Sequence, residues 1–135
     1  MPQVVSLVEA CLYVDDLDAA VAFYHGVLGM DCVGREEGRH VFFSAGTGVL
    51  LCFLPEATLR GETLPPHGAR GPGHAALGIA AADFDNWRAH LQAHGVQIEH
   101  EAAWPRGGRS LYVRDPAGNS LELVTPGLWG LSTGW

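Results

Sequence analysis

Gly38-Arg39-His40-Val41-Phe42-Phe43 returns, 70 positions later, as Gly108-Arg109-Ser110-Leu111-Tyr112-Val113. The same spacing carries on through Gly48 and Gly118, then Leu51 and Leu121. Upstream, Glu9-Ala10-Cys11-Leu12-Tyr13-Val14 aligns with His74-Ala75-Ala76-Leu77-Gly78-Ile79 at a spacing of 65, and Asp16-Leu17-Asp18 with Asp83-Phe84-Asp85 at 67. Few residues are identical, but the order of elements is the same in each half. Such self-similarity is the mark of a repeated structural unit.

Working outward from these stretches, each half predicts one helix and four strands. Residues 9–14 and 74–79 are short apolar runs ended by acidic or small residues, as strands are. Asp16 is expected to cap a helix whose apolar positions are Leu17, Ala20, Val21, Tyr24, Val27 and Leu28, with Gly29 as its stop. Asp83 is expected to cap the second helix, with Phe84, Trp87 and Leu91 as its stripe and Gly95 as its end. Strands follow at 30–35, 39–44 and 48–54, then at 97–101, 109–114 and 119–125. Asp115-Pro116-Ala117-Gly118 reads as a turn. Residues 55–73 lack periodicity and read as a loop. The expected architecture is α+β: two tandem βαβββ modules at about 7–54 and 74–125 form a curved mixed-sheet cup with helices outside, and a tail occupies 126–135.

The 135 residues suit a single domain. Apolar residues make up 47% and charged ones only 17%, which fits a packed chain rather than a disordered one. Eight basic residues, all arginine, stand against 15 acidic ones. A net charge of −7 without a basic run argues against nucleic acid and against anionic membrane surfaces. No apolar run is long enough to span a bilayer. Three scattered cysteines without a CxxC pair point to reduced thiols and a cytoplasmic setting. A homodimer that completes the burial of the sheet is expected.

Strand alternation selects the candidate site. In Ser120-Leu121-Glu122-Leu123-Val124, Glu122 faces away from Leu121 and Leu123, and an acid inside an apolar strand needs a partner. The repeat spacing sets Glu9 opposite His74, and Cys52 opposite Glu122. Glu9, His74 and Glu122 are residue types that bind divalent Mn, Fe, Co, Ni or Zn. Cys52 is the fourth symmetric position, although the apolar run around it also suits core packing. His40 and Ser110 are repeat equivalents expected on the pocket wall.

Taken together, Asp16-Leu17-Asp18-Ala19-Ala20, Phe23-Tyr24, Val27-Leu28-Gly29, Gly73-His74 and the run Asp115-Pro116-Ala117-Gly118-Asn119 to Glu122-Leu123 resemble the vicinal oxygen chelate superfamily. This superfamily groups glyoxalases, bleomycin-resistance proteins, extradiol dioxygenases and fosfomycin thiol transferases. The resemblance covers about residues 7–126 and implies the paired βαβββ fold with a divalent metal in the cup. His74 and Glu122 fall on its ligand positions. Its first-strand ligand is usually histidine and is Glu9 here; a further acid of glyoxalases is Cys52 here. Ser110 and Tyr112, ahead of the DPxG run, resemble the serine and tyrosine that touch the phosphonate in fosfomycin thiol transferases, but the lysine of that family has no counterpart.

The resemblance therefore implies a metal-dependent, glyoxalase- or dioxygenase-like enzyme acting on a small oxygenated substrate. Glu9, His74 and Glu122 would be metal ligands, Glu122 and Glu9 the catalytic carboxylates, and Ser110, Tyr112, His40 and Cys52 the substrate contacts. The alternative is a bleomycin-resistance-like protein that sequesters a small molecule without catalysis.

Overall fold

A computed structural model describes residues 1–135. The chain divides into two compact units, residues 1–71 and 72–135. The first holds β1 (Glu9–Tyr13), α1 (Leu17–Val21), β2 (Cys32–Glu36), β3 (His40–Ala45), β4 (Gly48–Phe53) and α2 (Pro55–Arg60). The second holds β5 (His74–Gly78), α3 (Phe84–Ala93), β6 (His100–Ala103), β7 (Arg109–Arg114) and β8 (Ser120–Val124). The sheet orders are β1-β4-β3-β2 and β5-β8-β7-β6. In each, the first strand runs parallel to the fourth and the other pairs are antiparallel. Parallel neighbours need a long connection, and the helix with the two strands after it supplies one. The two tandem βαβββ modules expected from the repeat are present.

In the first module Asp16 caps α1: its backbone is extended and its carboxylate accepts from Ala19 N–H at 2.9 Å. Leu17, Ala20, Phe23, Tyr24 and Leu28 are buried along one stripe. Tyr24 meets Phe43 of β3 at 5.2 Å between ring centroids. Val41, Phe43, Leu50 and Cys52 share this covered face and are buried with it.

The structure departs from the sequence reading at four places. First, α1 does not run as α-helix to Leu28. Residues Ala22–Val27 form a π turn, in which Leu28 N–H reaches back five residues to the Phe23 carbonyl at 3.0 Å. Second, Asp83 does not cap α3. A 3-10 turn at Ala81–Asp83 has already begun winding the chain, so Asp83 lacks the extended backbone a capping side chain needs. Third, the segment after β4 is not all loop. Pro55 at the first helical position, Glu56 in the first turn and Arg60 in the last favour the short α2 locally. Fourth, β6 begins three residues later than expected, at His100.

The ladder registers also move one repeat equivalence. Glu122 pairs with Tyr112 on one side and Ala76 on the other. Their first-module counterparts, Phe42 and Cys11, both pair with Leu51. Leu51, not Cys52, therefore stands where Glu122 does. The cause is turn length. Five residues, 115–119, separate the paired Arg114 and Ser120, whereas four, 45–48, separate the corresponding Ser44 and Val49. One residue of slip reverses every side chain across the sheet. Cys52 consequently lies on the helix-covered face, fully buried beside its partners Leu12 and Val41.

Candidate active site

The second module gathers the polar residues on the sheet face opposite Leu111, Val113, Leu121 and Leu123. Strand alternation and the cross-strand pairs place His74, Ala76, Gly78, Ser110, Tyr112, Ser120 and Glu122 on this face. The turn between β7 and β8 fixes their relative height. Asp115 Oδ1 accepts from the N–H groups of Ala117 at 3.0 Å and Asn119 at 2.8 Å, while its Oδ2 accepts from Asn119 Nδ2 at 2.9 Å. Gly118 has φ +91°, a conformation glycine takes without penalty. Asn119 Oδ1 then accepts from Gly73 N–H at 2.8 Å, and Ser120 N–H bonds the Gly73 carbonyl at 2.9 Å. The turn thereby grips the residue before His74 while it launches β8 toward Glu122.

Glu122 is buried, and a buried carboxylate is costly unless its oxygens are hydrogen-bonded. Its Oε1 accepts from Ser110 Oγ at 2.5 Å and from Tyr112 OH at 3.0 Å. Ser110 Oγ, itself fully buried, accepts from Trp104 Nε1 at 2.7 Å. The Trp104 N–H leaves Ser110 its hydroxyl proton to give to Glu122. Burial, and next the Glu122 carboxylate, push the Tyr112 phenol above its ordinary value, so it remains a donor at neutral pH.

His74 stands beside this carboxylate. Its Nδ1 lies 3.1 Å from the Ser120 carbonyl oxygen, which can only accept, so Nδ1 carries the proton. With Nδ1 turned to that carbonyl, Nε2 points at Glu122 Oε2, 3.5 Å away. A proton or a cation can bridge this nitrogen and this oxygen. A backbone-anchored imidazole beside a hydrogen-bonded carboxylate is how metal ligands are oriented. The pair fits a divalent cation as two of its ligands. Within neither unit do three His, Cys, Asp or Glu side chains gather in a way that could hold a metal ion.

The other sequence candidates belong to the first module. Glu9 is exposed at the head of β1. His40 stacks on Phe42, with centroids 4.0 Å apart, and meets the edge of Phe53. Burial pushes its imidazole below the ordinary value. Its buried Nδ1 makes no hydrogen bond; the Glu36 carboxylate is 3.9 Å away. Cys52 is part of the apolar core. Ser110 and Tyr112 both bind Glu122, so they hold the carboxylate.

Three features lie beyond sequence reasoning. The bonds of Asn119 to Gly73 and of Trp104 to Ser110 join residues that share no strand or helix period. Tyr13 OH and His67 Nδ1, 54 residues apart, meet at 2.6 Å, and burial raises the Tyr13 phenol to about 12. Tyr13 shares its strand face with Cys11, but no periodicity identifies the loop residue that joins it.

The glyoxalase/bleomycin resistance protein/dioxygenase superfamily model matches residues 6–123. The chain belongs to this superfamily. A solved structure described as lactoylglutathione lyase from Agrobacterium tumefaciens is 42% identical to this superfamily member, with a TM-score of 0.88; 93% of this chain and 97% of that one are covered. A glyoxalase-related enzyme from Fulvimarina pelagi, 24% identical over 96% and 94% of the two chains, shares the fold with a TM-score of 0.71. A superfamily protein from Nocardioides, 22% identical, does so with a TM-score of 0.73 over 100% and 91%. The 42% relative supports a glyoxalase-type enzyme. No helix is long and apolar enough to cross a membrane.

Proposed function

We propose that this protein is a metal-dependent enzyme of glyoxalase type acting on a small substrate with oxygens on adjacent carbons. The observation that carries the reading is His74 Nε2 facing Glu122 Oε2 at 3.5 Å, on a carboxylate whose other oxygen is already held. His74 Nε2 and Glu122 Oε2 would hold the metal. When bound, a divalent cation supplies Lewis-acid polarisation of the substrate oxygens. The 42% identical lactoylglutathione lyase suggests the substrate class, a 2-hydroxyacyl thioester and the hemithioacetal isomeric with it.

Interconverting those two isomers moves a proton between neighbouring carbons, a task for a carboxylate base. Glu122 fits it because Ser110 and Tyr112 fix Oε1 and leave Oε2 turned toward His74. Tyr112 stays protonated and orients the carboxylate throughout. Glu9 enters the proposal as a further carboxylate for metal or proton. Cys52 and His40 enter it only as determinants of the first module's packing and sheet face.

The test is a calorimetric titration of chelator-treated protein with Ni(II) and Co(II), with His74→Ala and Glu9→Gln as comparators, followed by a thioester absorbance assay with glutathione and methylglyoxal. Tight metal uptake lost in His74→Ala, with metal-dependent thioester formation, is expected. Unchanged metal affinity in Glu9→Gln removes Glu9 from the ligand set. Absence of both uptake and turnover overturns the reading. It would favour a metal-free binding protein, which the aromatic surroundings of Glu122, Trp104 and Tyr112 also suit. We further propose a homodimer in a reducing, cytoplasmic setting: Val4, Val5 and Leu7 are almost fully exposed, and the cysteines form no disulfide.

A further inference from the structure

We infer that Trp135 is a specificity-determining residue: its indole forms the end wall of the His74–Glu122 site and limits the size of the group a substrate can carry there. The inference rests on the proposed function for the identity of the site and adds a residue to it. It starts from Gly78. A methyl group at Gly78 would overlap Cη2 of Trp135 and stand only 2.6 Å from Cζ2 and 2.8 Å from Cζ3. The six-membered ring therefore sits directly on the α-carbon, in the space a side chain would fill.

Parity decides which face the ring covers. Gly78 is four residues from His74 and two from Ala76, so its missing side chain points to the same face as theirs. Ala76 is the lateral partner of Glu122, and Gly78 that of Val124. From strand rise and spacing, Gly78 lies about 8 Å diagonally from Glu122, Cα to Cα. The indole thus stands one sheet cell beyond the carboxylate, at the C-terminal end of β5, with His74 at the other end.

The tail that delivers the ring is built, not trailing. Gly127 N–H bonds the Gly134 carbonyl, and Leu131 N–H that of Trp135, each at 2.7 Å. Arg106 holds the Trp129 carbonyl at 2.9 Å. The positive φ of Gly127, Gly130 and Gly134 lets the chain turn back on itself. Trp135 keeps 37% of its surface exposed although one edge is packed, so the ring presents apolar surface rather than being consumed in a core. An apolar wall beside a few convergent polar groups is the usual make-up of a small-molecule site.

The consequence is selectivity by size. The test uses the full-length protein loaded with Co(II), and the glutathione hemithioacetals of methylglyoxal and phenylglyoxal. Trp135→Ala is expected to raise kcat/KM for the phenyl substrate relative to the methyl one roughly tenfold or more, a size effect typical of an apolar pocket. Gly78→Ala, which must push the indole aside, is expected to move the ratio in the same direction. An unchanged ratio, or one that falls, overturns the wall. A second readout needs no turnover. Paramagnetic Co(II) bound at His74 and Glu122 is expected to quench a component of the tryptophan fluorescence that Trp135→Phe removes. Trp104, bonded to Ser110, is quenched in both proteins, so an equal absolute loss of emission on Co(II) binding in wild type and Trp135→Phe overturns the inference. Loss of all Co(II) uptake in the wild type overturns instead the metal reading on which it stands, and with it the wall as a determinant of that site.

Discussion

Ser110→Ala deletes one hydroxyl and disturbs two buried partners at once. Glu122 Oε1 loses its 2.5 Å donor and keeps only Tyr112, while Trp104 Nε1 loses its acceptor. A hydrogen bond to a charged group is worth about 1.5–3 kcal/mol, and a buried donor left unmet costs about 1–3 kcal/mol. Trp104 is only half-buried, so water relieves part of the second cost. The net destabilisation expected is about 2–4 kcal/mol, far above an ordinary surface substitution.

The assay is urea unfolding of wild type, Ser110→Ala, Tyr112→Phe and the double variant. Ser110 and Tyr112 serve the same oxygen, so the cycle is expected to show coupling of about 0.5 kcal/mol or more. A Ser110→Ala cost under about 0.5 kcal/mol would refute the relay, because buried charge-assisted bonds are not that weak. So would strict additivity with Tyr112→Phe.

Three further outcomes follow from the same geometry. Asn119→Ala removes the acceptor for Gly73 N–H and a partner of Asp115; it is expected to lower stability by about 1–3 kcal/mol and to weaken metal binding by calorimetry. Gly108→Ala places a methyl 3.0 Å from the Thr125 carbonyl oxygen at φ +87° and is expected to cost more than about 1 kcal/mol by thermal unfolding. Arg88 holds the exposed Glu101 carboxyl below its ordinary 4.5, so that pair supports the fold above that pH and is lost as pH falls below it. Acid unfolding below pH 4.5 is expected to be less steep in Arg88→Met than in wild type; identical acid limbs would count against a contribution from the pair.

The repeat was legible because period-2 and period-3.6 patterns are local, and they placed α1, α3 and all eight strands. The short α2 escaped because six residues carry too little periodicity, although Pro55 marks its start. Asp83 resembled a cap in composition, but capping depends on backbone shape, and a 3-10 turn had already set that. His74 and Glu122 were legible as an imidazole and an acid opening and interrupting apolar strands. Their partners were less so. Trp104 to Ser110, Asn119 to Gly73 and Trp135 to Gly78 are meetings between a loop or tail and a strand, and no strand or helix period reports them.

The Cys52 equivalence failed for a reason that also explains why the second module holds the paired ligands. A side chain's face is set by its register, and the hairpin turn sets the register. The turn at 115–119 has one residue more than its first-module counterpart, and Asp115 and Asn119 use the extra length to form their hydrogen-bonded knot. The knot bonds Gly73 and so anchors the start of β5 to the start of β8. The first module's shorter turn at 45–48 contains no such pair, and the position matching Glu122 is Leu51, across from Cys11 and Phe42. One inserted residue, with the two side chains that stabilise it, is therefore enough to turn a repeated scaffold into an asymmetric one. It aligns β8 so that Glu122 faces His74 and Tyr112, while the same strand in the other half presents leucine.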